Sequence, residues 1–140
     1  MSALSIKQPF ASLVVFGIKP LEIRSRQTHY RGQIVVCASR QPYPGMMHHP
    51  ERPGVILPAV DYVRDMGELA PVGQAVGMVD IVGCRPMRPE DAELALVDYR
   101  PGLWAWELAN PVEIDPFPVV GQLGLFKVNA GQIRVKTGLK

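Results

Sequence analysis

Prolines and glycines interrupt this sequence at short intervals along its whole length. The 140 residues include 14 prolines and 13 glycines, and neither residue recurs with a fixed period. Because both residues end helices and strands, we expect many short elements joined by irregular loops. This punctuation is typical of a β-rich domain.

The length and composition are those of one globular domain. Hydrophobic residues make up 47% of the chain and charged residues 20%, which excludes a disordered or fibrous protein. The 140 residues allow one sizeable core and leave little room for a second. We therefore interpret residues 1–140 as a single domain.

The sequence predicts a cytoplasmic protein that does not enter the membrane. No stretch approaches the roughly 20 apolar residues that cross a bilayer. Residues 1–15 also lack the basic start and small-residue cleavage pattern of a signal peptide. Cys37 lies inside an apolar run and Cys84 ends another, so both are expected to be buried thiols in a reducing compartment.

Hydrophobic patterning predicts several strands and a few short helices. Residues 34–38 form an unbroken apolar run, which predicts a strand buried on both faces. The predicted strands are 3–6, 19–26, 33–39, 73–87 with a bend at Gly77 or Gly83, 102–108, 119–128 and 132–136, and the predicted helices are 9–16, 58–69 and 89–96. The proline-rich residues 40–58 are expected to form a long, mobile loop.

These elements do not follow the strand and helix alternation of a doubly wound sheet, and no phosphate-binding glycine loop is present. The pattern instead predicts an α+β fold: a small mixed, partly open β-barrel with a few short flanking helices. An open barrel has a mouth, and ligands commonly bind in such mouths.

Charge is distributed unevenly along the chain, although the net charge is only +2. Residues 1–52 hold seven Lys/Arg and two acids, residues 61–115 hold four and eleven, and residues 116–140 hold four and none. This distribution is compatible with one positive face for an anionic ligand. A mixed, solvated surface is the alternative.

Three charged residues near the N-terminus are expected to converge. Gly17 follows an apolar stretch and predicts the end of a helix, and the alternation of residues 21–24 predicts a half-buried strand. Glu22 and Arg24 then share one face. Lys19 enters just ahead of the strand, and its flexible stem can bring the ammonium to the same surface.

The segments 4–10, 17–25, 30–32 and 38–39 resemble the ASCH family of the PUA-like superfamily, and so do the segments 102–108 and 118–127 near the end of the chain. The match runs over nearly the whole chain, and the signature Gly-x-Lys-x-x-Glu-x-Arg, which stands here at residues 17–24 between a predicted helix and a predicted strand, is fairly specific. The resemblance implies a PUA-like barrel with a cleft beside the first helix. It also implies the site residues: Lys19, Glu22 and Arg24 line the cleft, Gln8 and Arg31 flank it, and Ser39 lies nearby.

Binding of single-stranded RNA, a nucleotide or a modified nucleoside is the function that this resemblance implies. Lys19, Arg24 and Arg31 suit phosphate oxygens, and arginine planes stack on unpaired bases. Gln8 and Glu22 can read the hydrogen-bonding edge of a base. Without the resemblance, Glu22 and Arg24 would be interpreted as an ordinary surface ion pair worth about 0 to 1 kcal/mol.

A hydrolase that uses no metal is the alternative function, with Lys19 and Glu22 in acid-base roles. Some relatives remove an acyl group from N4-acetylcytidine, but their threonine nucleophile is replaced here by Glu22. Ser25 or Ser39 could supply a hydroxyl instead. Cleavage of single-stranded RNA is also conceivable, with His29 taking part.

Three further features carry weaker signals. His48 and His49 are adjacent and point apart, and no Cys, Asp or Glu lies at ligand spacing, so neither a metal site nor another cofactor is predicted. Trp104 and Trp106 share a strand face and form either a base-stacking platform or part of the core, with one of them expected to be buried. The proline-rich residues 40–58 could dock a partner protein.

Overall fold

The computed structural model describes residues 1–137 and has an α+β fold. Short helices and one large sheet are its main elements. The strands are β1 (Ser2–Ile6), β2 (Leu21–Arg24), β3 (Gly32–Ala38), β4 (Met46–His48), β5 (Ile56–Pro58), β6 (Gln74–Pro86), β7 (Trp104–Pro118) and β8 (Leu125–Lys127). The helices are α1 (Phe10–Val15), α2 (Ala59–Met66) and α3 (Ala92–Ala95), with 3₁₀ turns at Gly67–Leu69, Pro89–Asp91 and Ala130–Gln132.

The large sheet has six strands in the order β2-β7-β6-β3-β1-β8. The β1–β3 pair is parallel and the other pairs are antiparallel. The two edge strands, β2 and β8, are not joined to each other, so the sheet does not close. The predicted mixed, partly open barrel is confirmed.

Helix α1 covers one face of the sheet. All six of its residues are buried, and the helix packs on β3, β6 and β7. Close packing depends on Gly77, because a Cβ atom there would lie 2.4 Å from the Val15 side chain and 2.6 Å from the Val112 carbonyl oxygen. The pairing of β6 with β7 shifts register next to Gly77 and again next to Gly83, the two positions where the sequence predicts a bend.

Strand β3 is buried on both faces, as its apolar run predicts. Ile34 and Val36 pack in the cluster that includes α1. Val35 and Cys37 pack in a second cluster on the opposite face of the sheet. The alternation of side chains along one strand therefore joins the two cores of the domain.

Residues 40–58 are more ordered than the predicted long loop. Strands β4 and β5 pair there as a short antiparallel ribbon, with Met47 opposite Leu57. Met47 is fully buried in the main core, and the half-buried Leu57 packs against the same core. These two apolar side chains anchor the ribbon despite the surrounding prolines.

The C-terminal part departs furthest from the sequence-based prediction. Strand β7 continues to Pro118 instead of ending near residue 108, and the predicted strand 119–128 shrinks to β8. Residues 132–136 do not form a strand; a single bridge joins Ile114 to Val135. The positive φ of +65° at Gly124 interrupts the extended backbone just before β8.

The predicted helices 58–69 and 89–96 are confirmed, each as a short α-helix continued or preceded by a 3₁₀ turn. Cys37 is buried and Cys84 is half-buried, and both are free thiols. Burial raises the pKa of the Cys37 thiol to about 11. Across residues 1–137, every helix is too short or too polar to cross a membrane.

Candidate functional site: a charged cavity between strands β1 and β2

A cavity of about 770 Å³ opens where the sheet fails to close, between the end of β1 and strand β2. The segment between α3 and β7 and residues 122–124 complete its wall. Its polar and charged lining residues are Ser5, Lys7, Lys19, Glu22, Arg24, Ser25, Ser39, Asp98, Arg100 and Gln122, and its larger apolar or aromatic ones are Ile6, Phe10, Ile23, Tyr43, Met46, Val97, Leu103 and Leu123.

Lys19, Glu22 and Arg24 converge on the cavity wall as the sequence predicts. Lys19 Nζ lies 3.6 Å from Glu22 Oε1, and Arg24 Nη1 lies 3.1 Å from Glu22 Oε2. Lys19 and Glu22 are almost fully buried, whereas the Arg24 side chain keeps 28% of its surface exposed. One carboxylate is thus held between two cations, and one of these cations faces solvent.

The end of α1 positions Lys19. Gly17 adopts a φ of +81°, which ends the helix in the left-handed region that glycine tolerates. The backbone N–H groups of Ile18 and Lys19 then both donate to the Leu13 carbonyl oxygen. This turn folds the chain back so that the Lys19 ammonium lies beneath the following strand.

The Lys19 ammonium has few protein partners. Nζ donates to the Leu21 carbonyl oxygen at 2.5 Å and lies 5.0 Å from the centroid of the Phe10 ring. Burial lowers the pKa of Lys19, and the nearby negative charge of Glu22 partly opposes that shift. The ammonium proton is therefore easier to lose than that of a surface lysine.

Arg24 bridges the gap between the two strands. Its Nη1 also donates to the Ser5 carbonyl oxygen of β1 at 3.2 Å. The guanidinium carbon lies 5.6 Å from the centroid of the Trp106 ring, and Trp106 Nε1 donates to the Arg26 carbonyl oxygen. Trp106 is 5% exposed, so it is a core residue that supports Arg24 and not an open stacking platform.

Three serines, Ser5, Ser25 and Ser39, line the cavity. Ser5 Oγ is buried and, among the residues that the structure describes, is the one buried side-chain N or O atom without a hydrogen-bond partner. Gly121 lies directly over it, since a Cβ atom at Gly121 would come within 2.6 Å of Ser5 Oγ. Ser39 lines the cavity at the end of β3, where its N–H donates to the Ile6 carbonyl oxygen.

Gln8 and Arg31 are not among the lining residues. Gln8 is fully buried: its Oε1 accepts from the Ser12 N–H, and its Nε2 donates to Ser12 Oγ and the Pro71 carbonyl oxygen. These bonds use Gln8 to cap α1 and to hold residue 71. Arg31 Nη1 donates to the carbonyl oxygens of Thr28 and Tyr30, which ties together the exposed turn before β3.

Sequence reasoning missed the far wall of the cavity. Tyr43 and Met46 come from the region of the ribbon, and Val97, Asp98 and Arg100 come from the segment after α3. These residues are distant from residues 17–24 along the chain, and no motif marks them. The contact that brings them near is tertiary: the His48 N–H donates to the Leu96 carbonyl oxygen.

The two adjacent histidines have separate partners. His48 Nε2 lies 2.7 Å from Asp98 Oδ1, and His49 Nδ1 accepts from the Glu51 N–H. The His49 ring also contacts the Tyr62 ring edge-on at 5.3 Å between centroids. The His48–Asp98 contact fastens the ribbon to the rim of the cavity.

A partly open mixed barrel with its cavity beside the first helix defines a PUA-like fold. The structure is similar to the crystal structure of a mutant ZmASCH protein from Zymomonas mobilis, with a TM-score of 0.56 over 92% of this chain and 90% of that chain. The two sequences are 13% identical, so this likeness shows the fold.

The chain belongs to the ASCH domain family, whose sequence model matches residues 4–118. ASCH domains are generally proposed to bind RNA. Activating signal cointegrator 1 from Homo sapiens is 28% identical in an alignment of 134 positions that covers 91% of this chain and 22% of that protein. This chain therefore spans only about a fifth of the length of that relative.

Proposed function

We propose that this protein binds single-stranded RNA or a nucleotide in the cavity between β1 and β2, using Lys19, Glu22, Arg24 and Ser39. The observation that carries the proposal is the Glu22 carboxylate, held between Lys19 and Arg24 on the wall of a cavity of about 770 Å³. Membership in a family generally proposed to bind RNA supports it.

The cavity wall offers complementary chemistry to a nucleotide. Arg24 keeps part of its guanidinium exposed, so it can meet a phosphate oxygen or lie over a base. Glu22 accepts one hydrogen bond and has acceptor capacity left, so it can bond to the edge of a base. Phe10, Val97 and the other apolar lining residues suit the faces of a base.

The size of the cavity fits this ligand class. Small-molecule sites commonly measure about 300 to 1,000 Å³ and combine apolar walls with a few placed polar groups. The cavity of about 770 Å³ combines the two in this way. Gln8 and Arg31 have no part in the proposal, because their side-chain hydrogen bonds are made elsewhere.

Hydrolysis of a modified nucleoside such as N4-acetylcytidine at the same cavity is the second candidate. The specific observation is Lys19, whose buried ammonium has a lowered pKa and lies 3.6 Å from the Glu22 carboxylate. Such a pair can transfer a proton to or from a reacting group. Ser25 and Ser39, the two candidate hydroxyl groups, also line the cavity.

The cytoplasm is the proposed compartment, in keeping with the two free thiols. Docking of a partner protein on residues 40–58 stays a prediction. The exposed Met46 and Ile56 of the ribbon give that docking apolar contacts to start from.

Fluorescence anisotropy of a labelled single-stranded RNA decamer tests the binding proposal. The Lys19→Ala/Arg24→Ala variant is compared with Arg52→Ala/Arg64→Ala, which removes the same charge outside the cavity lining. Each charge-assisted hydrogen bond to the ligand is worth about 1.4 kcal/mol or more, a factor of about ten, so the loss of both cations is expected to weaken binding roughly 100-fold. The control variant is expected to bind as the wild type does.

Gel analysis of the RNA and chromatography of N4-acetylcytidine after incubation separate the two candidates. Intact RNA with saturable, cavity-dependent binding supports the binding function. No binding at low salt contradicts it. Deacetylation by the wild type and not by the Lys19→Ala/Arg24→Ala variant supports the hydrolase.

A further inference from the structure

We propose that the cavity takes an internal nucleotide of a single strand, with Lys7 and Arg100 holding the phosphates on either side of it. This inference rests on the proposed function of the cavity. It distinguishes a strand from a free nucleotide as the ligand, and it assigns a role to two cations outside the Gly-x-Lys-x-x-Glu-x-Arg signature.

Lys7 and Arg100 are the uncommitted cations of the cavity. Both line it and both are exposed. Within residues 1–137, neither side chain takes part in a salt bridge or a hydrogen bond with another protein group. The other two lining cations, Lys19 and Arg24, are both engaged by Glu22.

The two cations come from opposite sides of the gap in the sheet. Lys7 directly follows β1, which pairs with β3 and β8. Arg100 lies in the segment that leads into β7, the partner of β2. The cavity lies between these two sides, so Lys7 and Arg100 stand on different parts of its rim.

The rim also carries one carboxylate. Asp98 lines the cavity two residues before Arg100, and its Oδ1 lies 2.7 Å from His48 Nε2. The His48 contact gives this carboxylate a partner other than Arg100. Arg100 is therefore available to an anion from solvent.

A strand fits this distribution better than a free nucleotide does. An internal nucleotide has one phosphate on each side, whereas a nucleoside monophosphate has a single phosphate group. A base splayed out of a single strand can enter a pocket while the backbone runs along the rim. Exposed cations bind such phosphates with release of counterions, which makes the affinity depend on salt.

The salt dependence of binding to the labelled RNA decamer tests this arrangement. Wild type, Lys7→Ala, Arg100→Ala and the double variant are compared with Arg52→Ala as the matched removal of one exposed cation. For single strands, the slope of log K against log salt changes by about 0.7 for each phosphate contact. We expect each single variant to flatten the slope by about 0.7, the double variant by about 1.4, and Arg52→Ala not at all.

Competition with nucleoside 5′-monophosphates gives the second readout. If the strand is gripped on both sides, a mononucleotide displaces the decamer only at concentrations at least tenfold above the decamer's own Kd. Equal affinity of mononucleotide and decamer overturns the inference. So do unchanged slopes in the Lys7 and Arg100 variants while Lys19→Ala/Arg24→Ala still abolishes binding, a result that leaves the proposed function intact. Absence of any RNA binding by the wild type overturns both.

Discussion

Two clusters of charged side chains in this domain hold a carboxylate against cations, and they differ in how fully the carboxylate is used. Asp91 accepts from Arg85 Nη1 at 2.7 Å, from Arg85 Nη2 at 3.0 Å and from the Arg88 N–H at 2.8 Å. Glu22 accepts one hydrogen bond, from Arg24 Nη1 at 3.1 Å, and its other oxygen faces Lys19 at 3.6 Å.

This difference distinguishes a cluster that stabilises the fold from a cluster that can bind a ligand. The Arg85 cluster is closed: Arg85 Nε also donates to Glu107, and the cluster fastens the 3₁₀ turn before α3 to strands β6 and β7. The Glu22 cluster lines a cavity and keeps acceptor sites unused. A fully satisfied network stabilises a fold, whereas a partly satisfied one at a cavity is available to a ligand.

The largest expected effect is on stability, from Asp91→Asn. The change removes the charge that Arg85 Nη1 and Nη2 contact and leaves the guanidinium without its main partner. We therefore expect a loss of about 2 to 3 kcal/mol in unfolding free energy. Urea denaturation measures it. RNA affinity at a temperature where the variant is folded should stay within about twofold of wild type, because Asp91 is outside the cavity lining. A loss of affinity equal to that of Lys19→Ala/Arg24→Ala would erase the distinction between the two clusters.

The next effect is on base preference, from Glu22→Gln. The substitution keeps the shape of the side chain and turns one acceptor oxygen into a donor NH₂ group. We expect the ratio of the Kd values of at least two homopolymeric RNA decamers to change by about tenfold, since an unmatched polar group in a site costs about 1 to 3 kcal/mol. Anisotropy titrations measure it. An unchanged ranking would show that Glu22 does not contact the base.

Lys19→Met is expected to have a smaller effect on the unfolding free energy, opposite in sign to that of Asp91→Asn. Removing one partner of a buried ion pair is destabilising when the other charge is left unpaired, but in Lys19→Met the Glu22 carboxylate keeps its hydrogen bond from Arg24. The substitution also removes the cost of burying the Lys19 charge, so we expect a gain of up to about 1 kcal/mol together with weaker RNA binding. Chemical denaturation and anisotropy on the same samples measure the two quantities. A stability loss comparable to that of Asp91→Asn would make Lys19 a structural residue.

The pH dependence of the same variant sharpens this prediction. Because the pKa of Lys19 is lowered in the folded state, the unfolded chain binds more protons just below the ordinary lysine value of 10.5. Wild-type stability should therefore gain a contribution as pH rises through the folded pKa toward 10.5, and Lys19→Met should lack it. Parallel pH profiles of the two proteins would contradict the burial of Lys19.

A related effect is expected on the stability of the protein at low pH. Arg85 and the Arg88 N–H hold the pKa of Asp91 below the ordinary aspartate value of 3.8. The contribution of Asp91 is present above 3.8 and is lost as pH falls through its folded pKa. Asp91→Asn should flatten the profile in that range. The Asp115→Asn change, at an exposed carboxylate, serves as the control and should leave the profile unaltered.

Much of the fold follows from local patterns in the sequence. The apolar run 34–38 predicts β3, because a strand buried on both faces needs apolar residues without interruption. Gly17 predicts the end of α1, because glycine tolerates a positive φ. The ribbon in residues 40–58 was missed, since Met47 and Leu57 gain their stability from the distant core and not from local propensity. The length of β7 was missed for the same reason: pairing with β6 extends it through Pro111 and Pro116.

The sequence predicts the residues of only one wall of the cavity. Strand parity placed Glu22 and Arg24 together, and the signature added Lys19, because these residues are adjacent in sequence. Gln8 lies in a segment that resembles the family, but its side-chain amide hydrogen-bonds to α1. Only the packed structure reveals this contact. The sequence does not mark Ser5 or Arg100 as site residues, since only the folded chain brings β1 and the segment before β7 to the same cavity.

Titration of ¹⁵N-labelled protein with the single-stranded RNA decamer, followed by backbone amide shifts, tests the central claim most directly. If the cavity is the binding site, the amides of Ser5, Lys19, Glu22, Arg24 and Ser39 shift together and saturably, while those of Arg85, Asp91 and Glu107 stay within experimental error. Shifts confined to the Arg85 cluster or to the ribbon, with the cavity amides unmoved, would contradict the account.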